Sequence, residues 1–170
     1  MSRETGHVEV REAGVDDVPK IQSVARMTWD HTYRESIPES VRAEFVKQAY
    51  SADSLRRRME PNVFLVAVRR EEVLGFADFQ PLSDTEAELA AIYVLPEMQG
   101  RGIGALLLEA GIGRFSESTS FVLRVERDNA RAQRFYEAHG FRRTGVHTDH
   151  FFGHVVNEVE MVLEARSGTC

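Results

Sequence analysis

Three alternating glycines, in the run Gln99-Gly100-Arg101-Gly102-Ile103-Gly104, sit between a strand pattern and a helix pattern, and they narrow the choice of fold more than any other feature. Upstream, Glu86 to Val94 reads as a strand that Pro96 ends. Downstream, Ile103 to about Phe115 reads as an apolar helix. Glycines allow a sharp turn and let a ligand approach the backbone closely. The first amides of the helix point out of its N-terminus, where the dipole favours negative charge, and Arg101 adds a charge-assisted donor. Together these groups suit a pyrophosphate. Two familiar phosphate loops do not fit: the third glycine of G-x-G-x-x-G would fall at Leu107, and the Gly-Lys-Ser/Thr of a Walker loop is absent. A loop that merely turns tightly is the plainer alternative. Taken alone, the run points to an anionic cofactor without identifying it.

The remaining patterning predicts a mixed α/β fold with a central, partly antiparallel sheet. Val8 and Val10 mark a first strand. Asp16 and Asp17 offer N-cap chemistry before Val18, Ile21, Val24, Ala25 and Thr28, which recur at helical spacing. A second helical stretch starts near Pro38 with Val41, Phe45 and Ala49, and a third, short and charged, covers Ser51 to Glu60. Asn62 to Val68 and Val73 to Phe79 read as strands joined by a turn around Arg70 to Glu72. Ser120 to Val125 is another strand, and Asp128 to His139 is a helix closed by Gly140. Phe141 to Val146 and Val155 to Leu163 complete the series. One compact domain over residues 1–170 is expected, ordered from about 6 to 165, with a short polar tail.

Composition excludes some classes of function. Hydrophobic residues at 42% and charged residues at 28% suit a soluble globular protein, and the apolar runs are too short to span a bilayer. Cys170 is the single cysteine, so no disulfide can form within one chain, and Met1 to Glu9 holds no apolar stretch like a signal peptide. Cytoplasm is therefore the expected location, and no membrane partner is expected. A net charge of -6, from 21 basic against 27 acidic residues, disfavours nucleic acid and is compatible with a cationic substrate.

A second constellation follows at Asp128-Asn129-Ala130-Arg131-Ala132-Gln133-Arg134-Phe135-Tyr136, continuing to Gly140-Phe141. Asn129 and Tyr136 are seven apart, so on a helix they share a face and lie roughly 10 Å apart along its axis. That face can follow an extended ligand. Equally, Asn129 can cap the helix while Tyr136 packs in the core.

With both segments in place, the chain resembles the GNAT superfamily of acetyltransferases over most of its length. The run from Glu88 to Gly104 is similar to that superfamily's acetyl-CoA-binding core with its Q/R-x-x-G-x-G/A loop, and Asn129 to Phe141 is similar to its N-x-x-A-x-x-F-Y-x-x-x-G-F motif. The resemblance implies a central sheet of about seven strands flanked by helices, splayed where the Glu88–Val94 strand parts from the Ser120–Val125 strand. Acetyl-CoA would lie in the slot as cosubstrate. Ile92, Tyr93 and Val94 would hold it along the strand, Gln99, Gly100, Arg101, Gly102, Ile103 and Gly104 in the loop, and Asn129 and Tyr136 on the helix. Dimers are frequent in the superfamily, so a homodimer is a further expectation.

Acetyl transfer to an amine needs the neutral amine, and for a lysine-like amine of pKa about 10.4 neutralisation at pH 7 costs about 4–5 kcal/mol. Glu88 is the candidate base, on the face that period two shares with Ala90, Ile92 and Val94. A carboxylate near its ordinary pKa is a weak base, so relay through water or a raised pKa is required, and an ordinary strand-end carboxylate is the alternative. The resemblance makes the backbone N–H of Val94 or Ile92 the oxyanion donor and Tyr136 the general acid. Phenol transfer to a thiolate is uphill by roughly 2 kcal/mol, so hydrogen bonding to the thiolate matters more than full donation.

Acceptor contacts are expected from the N-terminal helices and late strands: Trp29, His31, Tyr33, Glu35 and Glu39, then His147, Asp149, His150, Phe151 and Phe152. Thr32-Tyr33 with Pro38, and Gly145-Val146-His147, look similar to bacterial spermidine/spermine acetyltransferases, and acidic and aromatic groups suit a polyamine. His147, His150 and His154 lack compact ligand spacing with a second carboxylate, so no metal is expected. The small-amine acceptor competes with peptide or protein N-acetylation, and with a non-catalytic acetyl-CoA sensor. Retention of both Glu88 and Tyr136 argues against the sensor.

Overall fold

A computed structural model describes residues 7–151 and 153–166; Phe152 and Cys170 lie outside the described residues. The chain runs through β1 (Glu9–Glu12), α1 (Val18–Thr32), α2 (Glu39–Ala49), α3 (Ala52–Met59), β2 (Val63–Arg69), β3 (Glu72–Pro81) and β4 (Glu86–Val94). It continues through α4 (Ile103–Ile112), β5 (Ser120–Glu126), α5 (Ala130–Ala138), β6 (Arg142–Phe151) and β7 (His154–Leu163). The seven strands form one sheet in the order β1-β2-β3-β4-β5-β7-β6. Every neighbouring pair is antiparallel except β4 with β5. The predicted α/β class and sheet are therefore observed, with the last two strands longer than their apolar patterns suggest.

The sheet is covered on both faces. One core joins Ala77, Phe79, Leu89, Leu123, Val125 and Met161 to Leu107 and Leu108 of α4 and Tyr136 of α5. The other joins Phe64, Val66, Phe76 and Ala91 to Ile21, Val24 and Ala25 of α1, with Tyr50 and Leu55. The helical spacing read from Val18 onward thus marks the buried stripe of α1. Capping differs from expectation at its start: Asp17 makes no side-chain cap and instead pairs with Arg11 at 2.8 Å and accepts from the Gly14 amide at 2.8 Å. The helix instead starts with Pro19 in its first turn, where a missing N–H costs nothing.

Candidate active site

The centre of the sheet is open because β4 and β5 pair over only three positions, Glu86↔Ser120, Ala87↔Phe121 and Glu88↔Val122. Beyond that point β5 stays paired with β7 through Glu126, while β4 follows β3. The divergence coincides with a β-bulge: Leu89 faces Phe79 and Ala91 faces Asp78, leaving Ala90 as the extra residue. A bulge bends its strand and raises the local twist, which carries β4 away from β5. The result is a cleft of about 650 Å³ whose walls include Leu89 to Val94, Leu123 to Val125 and Asn129.

The β4 edge offers backbone groups to this cleft. Leu95 donates to the Leu74 carbonyl at 2.9 Å, and alternation along an antiparallel ladder then commits Tyr93 to β3. The amides of Ile92 and Val94 consequently face the opening. Gln99 Nε2 donates to the Val94 carbonyl at 3.1 Å, tying the glycine loop to the strand end.

The loop then enters α4 in a conformation few side chains tolerate. Gly100 has φ 80° and Gly102, the N-cap of α4, has φ 86°. No side chain caps α4, and its first internal bond runs from Leu106 to the Gly102 carbonyl at 3.1 Å. The amides of Ile103, Gly104 and Ala105 are therefore free of partners within the helix and suited to an anion. Gly100, Gly102 and Gly104 line the cleft; Ile103 is buried in the core, and Arg101 is exposed and not among the lining residues. A cation that the sequence reading missed stands closer: a Cβ added to Gly100 would lie 3.8 Å from the Arg131 guanidinium, and Arg131 lines the cleft. Its place in the first turn of α5, one turn before the cleft-lining Phe135, is the signal that could have marked it.

On α5 both readings of Asn129 hold together. Its side chain accepts from the Ala132 amide at 3.2 Å as the N-cap, and the residue also lines the cleft. Tyr136 lines the same wall and is 8% exposed, belonging to the core as well. Burial pushes its phenol well above the ordinary value, with Tyr93 adding. Tyr33, from the end of α1, closes the opposite side; burial raises its phenol too, with Tyr93 adding and the Asn129 side chain opposing. The structure thus brings Tyr33, Asn129 and Tyr136 together.

Three other candidates stand elsewhere. Trp29 is 4% exposed and packs on Phe45, with ring centroids 4.2 Å apart. Its indole donates to the Tyr93 hydroxyl at 2.9 Å, so it supports the wall from behind. His147 lies on β6 and meets Glu160 Oε1 at 2.9 Å, away from the cleft lining. Glu88 does not share a face with Ile92 and Val94. Ala87 and Leu89 pack in the same core as Ile92 and Val94, whereas Ala91 and Tyr93 pack on the α1 side. The bulged Ala90 breaks period two, and Glu88 therefore projects to the α1 side of the sheet. There it lines a hollow with Glu86, Val122, Arg124 and Glu160, and Arg124 borders both this hollow and the cleft.

The same side of the sheet holds two carboxylates that sequence reading missed. Glu126 and Glu158 are direct cross-strand partners on β5 and β7, and His147 on β6 is the next residue in the row. Like charges at such positions repel. Burial raises the pKa of both acids; Asp128 and Glu158 raise Glu126 further, and Asp149 raises Glu158 further. Glu158 Oε1 is buried with no hydrogen-bond partner among the described residues. No group of three or more His, Cys, Asp or Glu among the described residues is arranged to hold a metal ion. None of the described helices is long and apolar enough to cross a membrane.

An extended ligand with a pyrophosphate and an amide-rich arm fits this constellation: free helix amides and two left-handed glycines at one end, two strand amides along a split, and a buried phenol beside it. Comparisons with known proteins agree. The model of the acetyltransferase (GNAT) family matches residues 24–141. An uncharacterized N-acetyltransferase of Bacillus subtilis, YuaI, is 32% identical over 143 residues, covering 80% of this chain and 81% of that protein. The spermidine N(1)-acetyltransferase of Thermoplasma acidophilum is 29% identical over 143 residues, covering 79% of this chain and 88% of that protein. The PaiA N-acetyltransferase of Thermoplasma acidophilum, solved in complex with coenzyme A, shares the fold with a TM-score of 0.81 at 23% identity, over 93% of this chain and 99% of that one. This chain belongs to the GNAT acetyltransferase family and is an acetyl-CoA-dependent N-acetyltransferase.

Proposed function

We propose that the acceptor is a small cationic amine, with polyamines the leading class. The observation that carries this reading is the row of carboxylates on the α1 side of the sheet, where Glu126 and Glu158 face each other and Glu88 stands on the neighbouring strand. An ammonium group arriving there relieves their mutual repulsion. The Thermoplasma acidophilum relative that acts on spermidine supports the same class.

In this reading Ile92 and Val94 direct their amides at the acyl oxygen, where negative charge develops during transfer. The loop from Gln99 to Gly104, with Arg131, holds the pyrophosphate, and Asn129 meets the arm. Bound acetyl-CoA supplies the activated acyl group. Tyr136, its phenol held protonated by burial, donates a hydrogen bond to the sulfur. Glu88 accepts the amine proton through water, because its side chain projects to the face opposite Ile92 and Val94. Tyr33 stands where acceptor and donor arms meet, next to Asn129.

The test is acetyl-CoA thiol release against spermidine, spermine, amino acids, aminoglycosides and lysine peptides, with Glu88→Gln alongside. Release is expected to be strongest with a polyamine and to fall about a hundredfold or more in the variant, the lower end of the range for loss of a positioned base. Preference for lysine peptides would replace the small-amine reading. Release unchanged by Glu88→Gln would move the base to another carboxylate, Glu158 first.

A further inference from the structure

Among the described residues that line the cleft there is no aspartate, glutamate, lysine or cysteine. Its titratable members are His31, Tyr33, Tyr93, Tyr136, Arg124 and Arg131. An arginine stays protonated at any working pH, so Arg124 and Arg131 take up no proton. Burial raises the phenols of Tyr33, Tyr93 and Tyr136, so each can give a hydrogen bond near neutrality but cannot act as a base. His31 remains, and imidazole is the side chain suited to taking and returning a proton near neutral pH. It lies in the last turn of α1, two residues before Tyr33 on the same wall of the cleft. The residue is exposed, and its ring nitrogens have no hydrogen-bond partner among the described residues. His139 and His147, by contrast, are engaged at 2.9 Å, with the Phe135 carbonyl and with Glu160.

Acylation of an ammonium group removes two protons from its nitrogen. The first leaves as the arriving ammonium becomes an amine, and the reading above, on which this inference rests, gives it through water to Glu88 in the separate hollow. The second is still on nitrogen once the C–N bond has formed, when a cationic nitrogen stands beside the oxyanion inside the cleft. Until that proton goes, the amine can be expelled again. We propose that His31 is the base that accepts this second proton. The N–H electron pair stays on nitrogen, and the oxyanion re-forms its carbonyl as the C–S bond breaks. The sulfur leaves as a thiolate against the Tyr136 hydroxyl and takes up a proton from water after release. The imidazolium returns its proton to solvent, to which His31 is open. A ligand held along the β4 amides and the glycine loop leaves the α1 wall, with His31 and Tyr33, to the acceptor.

Two variants separate this from a contact or packing role. His31→Gln keeps a polar side chain but cannot take the proton; His31→Ala leaves room for imidazole added to the buffer. For the panel acceptor with the highest wild-type kcat/KM, His31→Gln is expected to lower kcat about a hundredfold, the lower end of the range for a positioned base. The KM values for acceptor and acetyl-CoA stay within about twofold, and Tm matches wild type, as suits an exposed position. His31→Ala is equally slow, and imidazole raises its kcat at least about tenfold while leaving His31→Gln unchanged. A His31→Gln kcat within about threefold of wild type overturns the proposal. So does a loss confined to the acceptor KM, which marks a binding contact, and so does a slow His31→Ala that imidazole fails to raise. Wild type that releases thiol with no member of the panel fails the acceptor reading and this inference together, before any variant is made. An active wild type with an equally active His31→Gln fails this inference alone.

Discussion

The two walls of the cleft are built from different materials. The wall formed by β4, the glycine loop, α4 and α5 presents backbone amides, left-handed glycines and a helix terminus. The wall formed by α1 with Ala91 and Tyr93 presents side chains, Thr28, His31 and Tyr33 among them, with the Arg124 cation at its edge; the opposed carboxylates Glu126 and Glu158 stand on the α1 side of the sheet, outside the cleft lining. Backbone groups can be aimed by fold alone, so one arrangement serves a donor common to a whole family. Side chains can be exchanged strand by strand without disturbing the sheet. In the proposed reading acceptor choice resides on this side of the sheet, which also carries the unfavourable contacts.

The sharpest test of that division is Tyr136→Phe, which removes one hydroxyl from the first wall and leaves its backbone amides in place. Turnover should fall at least tenfold, with acetyl-CoA affinity within about twofold by calorimetry. Because burial holds the phenol well above its ordinary pKa, wild-type kcat should show no Tyr136 limb below about pH 10. Unchanged turnover would remove Tyr136 from the reaction. Gly102→Val attacks the first wall alone. A branched side chain at φ 86° is strained by roughly 1–2 kcal/mol, so acetyl-CoA should bind about five- to thirtyfold more weakly while the amine KM holds. Equal loss of both would show that the walls are coupled.

Glu158→Gln addresses the carboxylate pair on the α1 side of the sheet, and its effect is the smallest. A carboxyl whose folded pKa is raised binds its proton more tightly in the folded state than in the unfolded one. Stability is therefore lost as pH rises from the unfolded value of 4.5 toward the raised folded value. The variant should flatten that decline and show a higher Tm than wild type at pH 7. The amine KM should rise a few-fold, as expected for the loss of one half-buried charge contact. A lower Tm at pH 7 would mean that the pair is held by contacts stronger than its repulsion.

The first wall was legible because its requirements are local. Glycines at Gly100 and Gly102 and the segment from Asn129 to Tyr136 state their conformations within a few residues. The second wall and the α1-side carboxylates depend on events far apart in sequence. Nothing in an alanine announces a bulge, yet Ala90 reverses which face Glu88 occupies. Glu126 and Glu158 meet only through the β5–β7 register, and Trp29 is sealed by a hydroxyl from β4. Of the aromatic acceptor candidates, Tyr33 lines the cleft, while Trp29 packs behind it and bonds the Tyr93 hydroxyl.

The three-residue seam between β4 and β5 has a consequence for how the molecule coheres. Among the described residues it is the single parallel ladder in the sheet, and it joins an antiparallel β1–β4 plate to an antiparallel β5–β7–β6 plate. So short a ladder contributes little to holding the plates together; the apolar layer beneath it does, with Leu107 and Leu108 packed among residues from both sides. The width of the cleft is thus fixed by side-chain volume rather than by strand pairing. Trimming that layer would leave each plate's ladders intact and let the two halves breathe against each other, a looseness that amide exchange along the facing edges would register.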